Sequence, residues 1–204
     1  MTQPPFTGTI CLHGRYVALT PLGTDDSIAL AEAAAGLKTG HPFSFVPDGL
    51  AEARKYIEGA LHERARGERY PFAIVFQGLI VGTTSYLEFV WWRRPHAPQE
   101  APAALEIGAT WLASSAQRTR CNTEAKYLLL AYAFEDWRVE RVSFRTDERN
   151  ARSRSAIERL GARYEGVRRA ERLGADGAVR NSAFYSIVAS EWPDIKAKLT
   201  ERLG

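Results

Sequence analysis

Hydrophobic and polar residues alternate along this chain with two different periods, which predict strands and helices in turn. A two-residue period in CLHGRYVALTPL (residues 11–22) predicts a strand that ends at a proline turn. Helical spacing in SIALAEAAAG and LAEARKYIEGALHERARG predicts two helices, which end at Gly36 and Gly67. The first third of the chain is therefore predicted to supply one strand and two helices.

The middle of the chain begins with a predicted β-hairpin. PFAIVFQGLIVGTTSYLEF contains two apolar strands separated by Gln77 and Gly78, a dipeptide suited to a tight turn. The proline-rich stretch RRPHAPQEAPA then predicts a surface loop. After it, the strand ALEIGATWL leads into AQRTRCNTEAKYLLLAYAF (residues 116–134), whose apolar run predicts a buried helix.

The last third of the chain continues this alternation. VERVSFRTD predicts a strand, NARSRSAIERLG predicts a short helix, and two further strands flank the turn at residues 175–177. A final helix is predicted after Trp192 and Pro193. This order predicts an α+β fold with a central mixed sheet. Because 204 residues with 45% hydrophobic content can bury one full core, we expect a single domain over residues 1–204.

The charge of the chain is nearly balanced, with 27 basic and 24 acidic residues and a net charge of +3. So small an excess does not indicate a nucleic-acid partner unless the charge is clustered. Nine arginines do fall between residues 145 and 172, but four glutamates are interleaved with them, which favours a solvated surface. Nucleic-acid binding is therefore not expected, although this arginine-rich stretch keeps an RNA-binding or ribosome-surface role open as an alternative.

The remaining composition points to a cytoplasmic protein without a metal. The two cysteines form no CxxC pair, and a domain of this size does not need a disulfide to fold. The four histidines have no metal-ligand spacing. The first residues lack the pattern of a signal peptide, and the longest apolar run, residues 127–134, is too short to span a bilayer, so we expect no membrane partner.

The segment from Gln117 to Thr123 is predicted to form the beginning of a buried helix. The first N–H groups of a helix lack intrahelical partners, and the helix dipole adds partial positive charge there, so this end attracts an anion. Asn122 is a plausible N-cap. Arg118 and Arg120 add full charges, which suits a ligand with more than one phosphate. The alternative is an ordinary strand-to-helix loop with two solvated arginines.

Three segments of the chain resemble the GNAT superfamily of N-acetyltransferases, and within it the ribosomal-protein N-terminal acetyltransferases of the RimJ/RimL type. LEIGATWLASSAQRTRCNTEAKYLLLAYAFED resembles the coenzyme-binding motif, a strand followed by a Q/R-x-x-G-x-G/A loop and its helix. RVSFRTDERNARSRSAIERLGARYEGV resembles the next motif, with N-x-x-S before a helix that ends in L-G. SAFYSIVASEWP resembles the closing strand, with Tyr185 at the family's tyrosine position.

The resemblance implies a fold, a reaction and a set of site residues. The fold is a mixed, mostly antiparallel sheet flanked by helices and splayed at the strand before the coenzyme helix. The reaction is transfer of an acetyl group from acetyl-CoA, without a metal, to a primary amine by direct attack in a ternary complex. The acceptor is a protein N-terminal α-amine or a small-molecule amine. The implied coenzyme-binding residues are Trp111, Leu112, Gln117, Arg118, Thr119, Arg120, Cys121, Asn122, Thr123, Asn150 and Ser153.

The phosphate loop departs from the family pattern. Arg120 and Asn122 stand where the family has glycine and glycine or alanine, so the backbone of the loop must be reshaped. Either Arg120 points outward and holds the coenzyme phosphates with its side chain, or it blocks the loop. We expect the first, because a blocking residue need not be cationic. The substituted loop also keeps open a second alternative function, an acyl-CoA-binding protein without catalysis.

The second motif departs from the pattern as well, since Ile157 occupies the family's tyrosine position seven residues after Asn150. Ser153 is then the alternative donor to the departing thiolate. Because a thiol has a pKa of about 8.5, protonation of the sulfur is nearly thermoneutral, and Ser153 is better cast as a hydrogen-bond donor than as an obligatory acid. The alternative for Ser153 is a local backbone hydrogen bond in the first turn of a helix.

Deprotonation of the acceptor is the harder half of the chemistry. A lysine-like amine costs roughly 4.6 kcal/mol to deprotonate at pH 7, whereas an α-amine costs about 1 to 1.4 kcal/mol. Glu106, in the strand ALEIGATWL, occupies the position of the glutamate that many family members use as a base, and Glu88 is the reserve candidate. The alternative for Glu106 is a solvent-facing strand residue between Leu105 and Ile107.

The acceptor side has four candidate residues, which are Glu88, Trp91, Trp92 and Tyr185. The tryptophan pair precedes the proline-rich loop, where its rings could wall the acceptor site or bind a cationic amine. The same pair could equally pack against the edge of the sheet or form the contact of a homodimer.

Overall fold

Eight strands form a single sheet in a computed structural model that describes residues 8–37, 42–92 and 101–204. Their order across the sheet is β1-β2-β3-β4-β5-β6-β8-β7. All neighbouring strands are antiparallel except β5 and β6, which are parallel. The strands are β1 (Leu12–His13), β2 (Val17–Pro21), β3 (Arg69–Phe76), β4 (Leu79–Val90), β5 (Ala104–Leu112), β6 (Arg141–Asp147), β7 (Arg163–Leu173) and β8 (Val179–Val188).

Helices cover both faces of this sheet. In the described part of the chain they are α1 (Ser27–Ala34), α2 (Gly49–Ala65), α3 (Cys121–Ala131), α4 (Ala151–Arg159) and α5 (Trp192–Leu203). A single π-helical turn, Tyr132–Asp136, extends α3. The predicted α+β class with a mixed, mostly antiparallel sheet is confirmed.

The predicted boundaries hold best where glycine ends an element. Gly36 and Gly67 follow α1 and α2 with φ angles of 72° and 73°, in the left-handed region that glycine enters at no steric cost. Gln77 and Gly78 join β3 to β4 with φ angles of 53° and 79°, which is the twist that a two-residue hairpin turn requires. The hairpin and both helix ends are therefore confirmed.

The prediction of one continuous strand over residues 11–22 is wrong. The chain turns at Gly14, whose N–H donates to the Val17 carbonyl at 2.8 Å, and Leu12 pairs with Leu19 of the same segment. The segment is a small hairpin rather than one strand, because a two-residue period does not reveal a turn inside it. Most of the predicted proline-rich loop, residues 93–100, lies outside the described residues.

Two hydrophobic clusters lie on opposite faces of the sheet. Phe72 and Ile74 belong to the cluster that includes residues of α3 and α5, whereas Ala73 between them belongs to the cluster under α1 and α2. Side chains alternate along a strand, so the two clusters identify the two faces. We call them the α3 face and the α2 face.

The sheet opens between β5 and β6. Their backbones pair only at Ala104, Leu105 and Glu106, opposite residues 141–143, and within the described chain the rest of β5 has no β6 partner. This is the splay expected at the strand before the predicted coenzyme helix, and it is confirmed. It leaves one edge of β5 open from residue 107 to residue 112.

A β-bulge lies in this open part of β5. Thr83 and Ser85 of β4 pair with Trp111 and Gly108, so β5 contains one extra residue. Ala109 takes a φ of 47°, which is uncommon for a residue with a side chain. The bulge of residues 108–110 changes the direction of β5 two residues after Glu106.

A buried carboxylate ties the beginning of the chain to α3. Glu124 accepts hydrogen bonds from the backbone N–H groups of Arg15, Tyr16 and Val17, each at 2.7 Å. Gly14 leaves room for it, since a Cβ there would lie 2.6 Å from the carboxyl carbon. Three consecutive N–H groups, which lead into β2, are satisfied in this way by one side chain.

The residues that the structure describes include no helix that is long and apolar enough to cross a membrane. Nor do they hold a group of three or more histidine, cysteine or acidic side chains arranged as metal ligands.

Candidate active site

Helix α3 begins earlier in the chain than the sequence predicts. α3 begins at Cys121 with Arg120 as its N-cap, so Asn122 lies in the first turn and the predicted cap at Asn122 is wrong. Thr119 takes that role in part, because its Oγ1 accepts from the Cys121 N–H at 3.1 Å and donates to the Ala116 carbonyl at 2.7 Å. The backbone becomes helical one residue after this threonine, which leaves no free N–H for an Asn122 cap.

A basic cavity of about 380 Å³ lies beside this loop. It is enclosed by the loop, the second half of α4 and the end of α5. Four of its lining residues are arginines and none is acidic, so it suits a ligand with several negative charges. The lining residues are Arg118, Thr119, Arg120, Asn122, Thr123, Ala156, Arg159, Leu160, Arg202 and Leu203.

The two arginines of the loop are held differently. Arg120 donates to the Tyr16 hydroxyl at 2.7 Å and to the Leu203 carbonyl at 3.0 Å, so its side chain extends away from the loop toward other elements. The side chain thus points outward, and the expected contact with coenzyme phosphates stays a prediction. Arg118 has a φ of 59° and, among the described residues, no hydrogen-bond partner, so its donors are available to a ligand.

A second cavity, of about 280 Å³, lies at the N-terminal end of α4. Residues 42–44 and 149–152 line it. Arg152 donates to Gln117 Oε1 at 3.3 Å, and Gln117 Nε2 donates to the Leu112 carbonyl at 2.8 Å. Gln117 therefore connects the end of β5 to α4, and α4 contributes to both cavities.

Asn150 and Ser153 begin α4. Asn150 Oδ1 accepts from the Ser153 backbone N–H at 3.1 Å and so caps the helix. The local backbone hydrogen bond anticipated for Ser153 is thus made by its N–H and not by its hydroxyl. Among the described residues that hydroxyl has no hydrogen-bond partner, which leaves it able to donate to a ligand.

Glu106 lies in the last backbone pair before β5 and β6 separate. Its side chain is only 6% exposed, so the alternative of a solvent-facing strand residue is wrong. Arg145 of β6 covers it, with Nε 3.1 Å from Glu106 Oε2. Burial raises the pKa of Glu106 to about 7, although the Arg145 charge opposes that rise.

Arg145 also binds two other glutamates. Its guanidinium reaches Glu88 of β4 at 2.7 Å and Glu171 of β7 at 2.8 Å. Only Glu88 of the three carboxylates is well exposed, at 59%, whereas Glu171 is 7% exposed. Arg145 therefore joins four strands at the point where the sheet opens.

Arg145 was not predicted as a site residue and was counted among solvated arginines, yet its side chain is only 10% exposed. The two-residue period of RVSFRTD does place Arg145 on the polar face of its strand. The pattern does not show which side chains of the other strands contact Arg145.

The bulge of β5 is held on the α3 face by a buried lysine. Lys126 Nζ donates to Thr84 Oγ1 at 2.9 Å and to Thr110 Oγ1 at 2.6 Å. Thr110 Oγ1 in turn donates to the Gly108 carbonyl at 3.2 Å. Burial lowers the pKa of Lys126 to about 7.

A second buried network reaches the same bulge from the α2 face. Arg69 donates to the Tyr56 hydroxyl at 2.8 Å, and that hydroxyl lies 2.9 Å from Thr83 Oγ1. Thr83 Oγ1 donates to the Ala109 carbonyl at 3.4 Å. Consecutive carbonyls of the bulge are thus bound by threonine hydroxyls from opposite faces of the sheet.

The structure does not bring Tyr185 to the acceptor side. Its ring is buried on the α3 face, where its hydroxyl accepts from Arg154 at 2.9 Å and lies 3.0 Å from Glu158, both on α4. Glu106 and Arg145 point to the other face. The expected substrate role of Tyr185 therefore has no support in this arrangement.

The side chains of three other predicted residues also lie away from the two cavities. Cys121 is buried in the core, and burial raises the pKa of its thiol to about 12. Leu112 belongs to the same core. Trp111 packs under α1 and α2, and its Nε1 has no hydrogen-bond partner among the described residues.

Trp91 and Trp92 follow the end of β4 and are 41% and 45% exposed. They lie three and four residues beyond Glu88, next to residues outside the described ranges. Both rings are therefore on the surface, and the choice between an acceptor wall and a packing contact stays a prediction.

The chain is similar to a known family of acetyltransferases and to several solved structures. The model of the acetyltransferase (GNAT) domain matches residues 17–163, more than half of the chain. A crystal structure assigned as an acetyltransferase is 36% identical, with a TM-score of 0.81 over 98% of this chain and 96% of its own. Another, from T. thermophilus, is 34% identical, with a TM-score of 0.80 over 98% of this chain and 100% of its own.

A more distant likeness shows the fold alone. The structure of Mycobacterium smegmatis RimJ in complex with CoA-disulfide is 22% identical, with a TM-score of 0.75 over 95% of this chain and 93% of its own. No curated protein sequence is significantly similar to this chain.

Proposed function

The chain belongs to the GNAT acetyltransferase family, and we propose that it transfers the acetyl group of acetyl-CoA to a primary amine by direct attack within a ternary complex. The observation that carries this proposal is Glu106, a buried carboxyl with a pKa of about 7 at the point where β5 leaves β6. A base is most useful when its pKa lies near the working pH. Glu106 meets that condition.

The basic cavity fits the nucleotide end of the coenzyme. The α3 N-terminus, the free donors of Arg118 and the other cavity arginines would hold its phosphates. The open edge of β5 runs from Leu112 back to Glu106, a path of roughly 20 Å at the rise of a strand. We propose that the pantetheine arm follows this edge, whose backbone groups can bind its amides, and brings the acetyl group to Glu106.

Glu106 acts as the base in this proposal. An amine that arrives as an ammonium ion gives one proton to the Glu106 carboxylate. The nitrogen lone pair then forms the N–C bond to the acetyl carbonyl carbon while the C–S bond breaks. Glu106 afterwards releases its proton to water.

Ser153 assists the departing sulfur. The second proton of the nitrogen ends on the thiolate, and the Ser153 hydroxyl donates a hydrogen bond to the sulfur while its negative charge develops. The free hydroxyl of Ser153 supports this role, because it has no competing partner among the described residues.

The acceptor class follows from the cost of deprotonation. An α-amine is easier to deprotonate than a lysine-like amine by roughly 3 kcal/mol at pH 7. A base whose pKa is about 7 is well matched to the former. We therefore propose a protein N-terminal α-amine or a small amine of similar basicity, a choice that the sequence resemblance to ribosomal-protein acetyltransferases also supports.

The test is a screen for thiol release from acetyl-CoA with peptides bearing free N-termini and with small amines. Glu106→Gln is expected to lower kcat by about 10²- to 10⁴-fold with the affinity for CoA nearly unchanged, because a general base supplies rate rather than binding. Glu58→Gln, the same change on the exposed face of α2, is the control and should behave as wild type.

Two results would contradict the proposal in different ways. Wild-type protein that releases no thiol with any amine and gains no thermal stability from acetyl-CoA would remove the coenzyme assignment. Turnover that persists unchanged in Glu106→Gln would keep the reaction but reject Glu106 as the base, and Glu88→Gln would then be assayed.

A further inference from the structure

Lys126 is an unusual residue to find in the core of this protein. Its side chain is buried between α3 and the sheet, and its neighbours along α3, Ala125, Leu129 and Leu130, are all in the hydrophobic core. Among the described residues no carboxylate pairs with it, and its hydrogen bonds go to Thr84 and Thr110. Burying an amine in this way costs free energy that an apolar side chain of the same length would not.

The place that Lys126 supports is the bulge of β5. Thr110 is the last residue of that bulge, and Gly108, whose carbonyl it binds, is two residues from Glu106. This part of β5 has an open edge toward β6. Lys126 therefore acts on the strand segment where the acetyl group must be held, and not on a region of the core remote from the site.

The donor in both contacts of Lys126 is its Nζ. Because Nζ donates to Thr110 Oγ1 at 2.6 Å, that hydroxyl can give its own hydrogen to another acceptor. That single hydrogen goes to the Gly108 carbonyl at 3.2 Å, while Thr84 Oγ1 at 2.9 Å can donate to Thr110 Oγ1. Without Lys126 the hydroxyl of Thr110 could turn and leave the bulge carbonyl.

The α2 face supplies an independent constraint on the same segment. Thr83 binds the next carbonyl, that of Ala109, and is itself held by Tyr56 and Arg69. With both carbonyls bound by hydroxyls of the protein, the conformation of the bulge is fixed from both faces of the sheet.

We propose that Lys126 is a positioning residue for acetyl transfer, which acts through Thr110 to fix the bulge of β5 against the thioester end of the coenzyme. This inference rests on the proposed function. It assigns to Lys126 a role in the affinity for the acetyl-pantetheine arm, and none in the affinity for the phosphates, which lie at the other end of β5.

The test compares two ligands that share the same phosphates. Acetyl-CoA carries the acetyl-pantetheine arm, whereas phospho-ADP, the nucleotide half of the coenzyme, lacks it. Calorimetry on Lys126→Met and Thr110→Val is expected to show acetyl-CoA affinity lowered about tenfold in each, the scale for loss of one buried hydrogen bond. Phospho-ADP affinity should stay within about twofold of wild type, since no phosphate contact changes.

Thr110→Ser separates positioning from packing. Serine keeps the hydroxyl and loses only a methyl group, so it should retain acetyl-CoA affinity, whereas the equally sized valine should not. The variants of Lys126 and Thr110 should also be non-additive, because each removes the same hydrogen bond. Thr110→Val keeps the proposal testable if Lys126→Met does not fold.

Two control variants account for charge and for stability. Lys198→Met makes the same chemical change on an exposed position of α5, and Leu199→Ala destabilises the core from α5 without touching β5. Both should bind acetyl-CoA as wild type does. If Lys126→Met and Thr110→Val bound acetyl-CoA as wild type does, whatever their melting temperatures, the proposal would be overturned. A wild type that binds phospho-ADP and acetyl-CoA equally weakly would overturn the proposed function as well.

Discussion

At the scale of single residues, Glu106 is subject to two opposing effects. Burial favours the neutral acid and raises its pKa, whereas Arg145 at 3.1 Å favours the carboxylate. The nearby charge of Glu88 raises the pKa further. The value of about 7 is the outcome of burial prevailing over the guanidinium.

The pH profile of the enzyme should follow this balance. We expect kcat/KM to rise with pH through about 7, because Glu106 must lose its proton to act as a base. Arg145→Gln removes a charge that lowers the pKa of Glu106, so the rise should move to higher pH. Glu88→Gln removes a charge that raises this pKa, so the rise should move to lower pH.

Arg169→Gln, an exposed change on β7, serves as the control for this measurement and should leave the profile in place. Shifts of Arg145→Gln and Glu88→Gln in the same direction would contradict the electrostatic account. They would indicate a general loss of structure around Glu106.

Glu106 could be predicted from the sequence, but the residues around it could not. The motif position of Glu106 is visible within the 9 residues of a single strand. Its burial is not, because the side chains around it come from β4, β6 and β7 and meet only after the sheet has formed. A pKa of about 7 could therefore not be predicted from the chain alone.

At the scale of elements, the loop before α3 accommodates two arginines in different ways. Arg118 adopts a left-handed backbone, and Arg120 extends to Tyr16 and to the end of α5. The family's glycines are thus replaced by a reshaped loop whose side chains point outward. The lining of the basic cavity includes both arginines.

Each of these arginines should contribute to coenzyme binding. We expect Arg118→Ala and Arg120→Ala to weaken CoA by roughly 1 to 3 kcal/mol in calorimetry, the range for a lost charge-assisted hydrogen bond. Arg120→Ala should also lower the melting temperature, because it loses its bonds to Tyr16 and Leu203. Arg118→Gly should be more stable than Arg118→Ala, since glycine adopts a φ of 59° without strain.

Arg141→Ala removes an exposed arginine at the first position of β6. It is the matched control and should bind CoA normally. Tighter binding by Arg120→Gly would show that Arg120 obstructs the loop instead of holding phosphates.

The elements themselves were the more predictable part of the fold. Periodic segments bounded by glycine, such as α2 before Gly67, were located correctly from local pattern. The cap of α3 was not, because Thr119, Arg120 and Asn122 are all compatible with a helix start. Which of these three residues caps α3 depends on where the chain leaves β5.

At the scale of the whole molecule, two buried cations hold the sheet from opposite faces. Arg69 lies under α2 and Lys126 under α3, and their networks meet at the bulge of β5. The stability of the fold therefore depends on the protonation of a group in its centre.

Lys126 should leave a signature in the pH dependence of stability. In the folded chain it loses its proton at about pH 7, whereas in the unfolded chain it does so at about 10.4. Between these values the unfolded chain binds more protons, so this group makes the free energy of unfolding rise with pH. Denaturant unfolding of Lys126→Met should show a smaller rise between about pH 7 and 8.5.

Lys198→Met should keep the wild-type slope, since that lysine is exposed. The range ends below the region where Cys121 acts in the opposite sense, because its thiol keeps its proton in the folded chain to a pKa of about 12. An unchanged slope in Lys126→Met would mean that the lysine is not buried as described.

The bond between Glu124 and the start of β2 has a consequence for how the chain is made. The N–H groups of residues 15–17 reach the ribosome exit more than a hundred residues before the carboxylate that binds them, a separation of 107 to 109 positions. Throughout that interval water must satisfy these three groups, although β2 can already pair with β3. Contacts of such long range slow folding. The turn at residues 14–17 is therefore synthesised early but gains its buried carboxylate only after α3 has emerged.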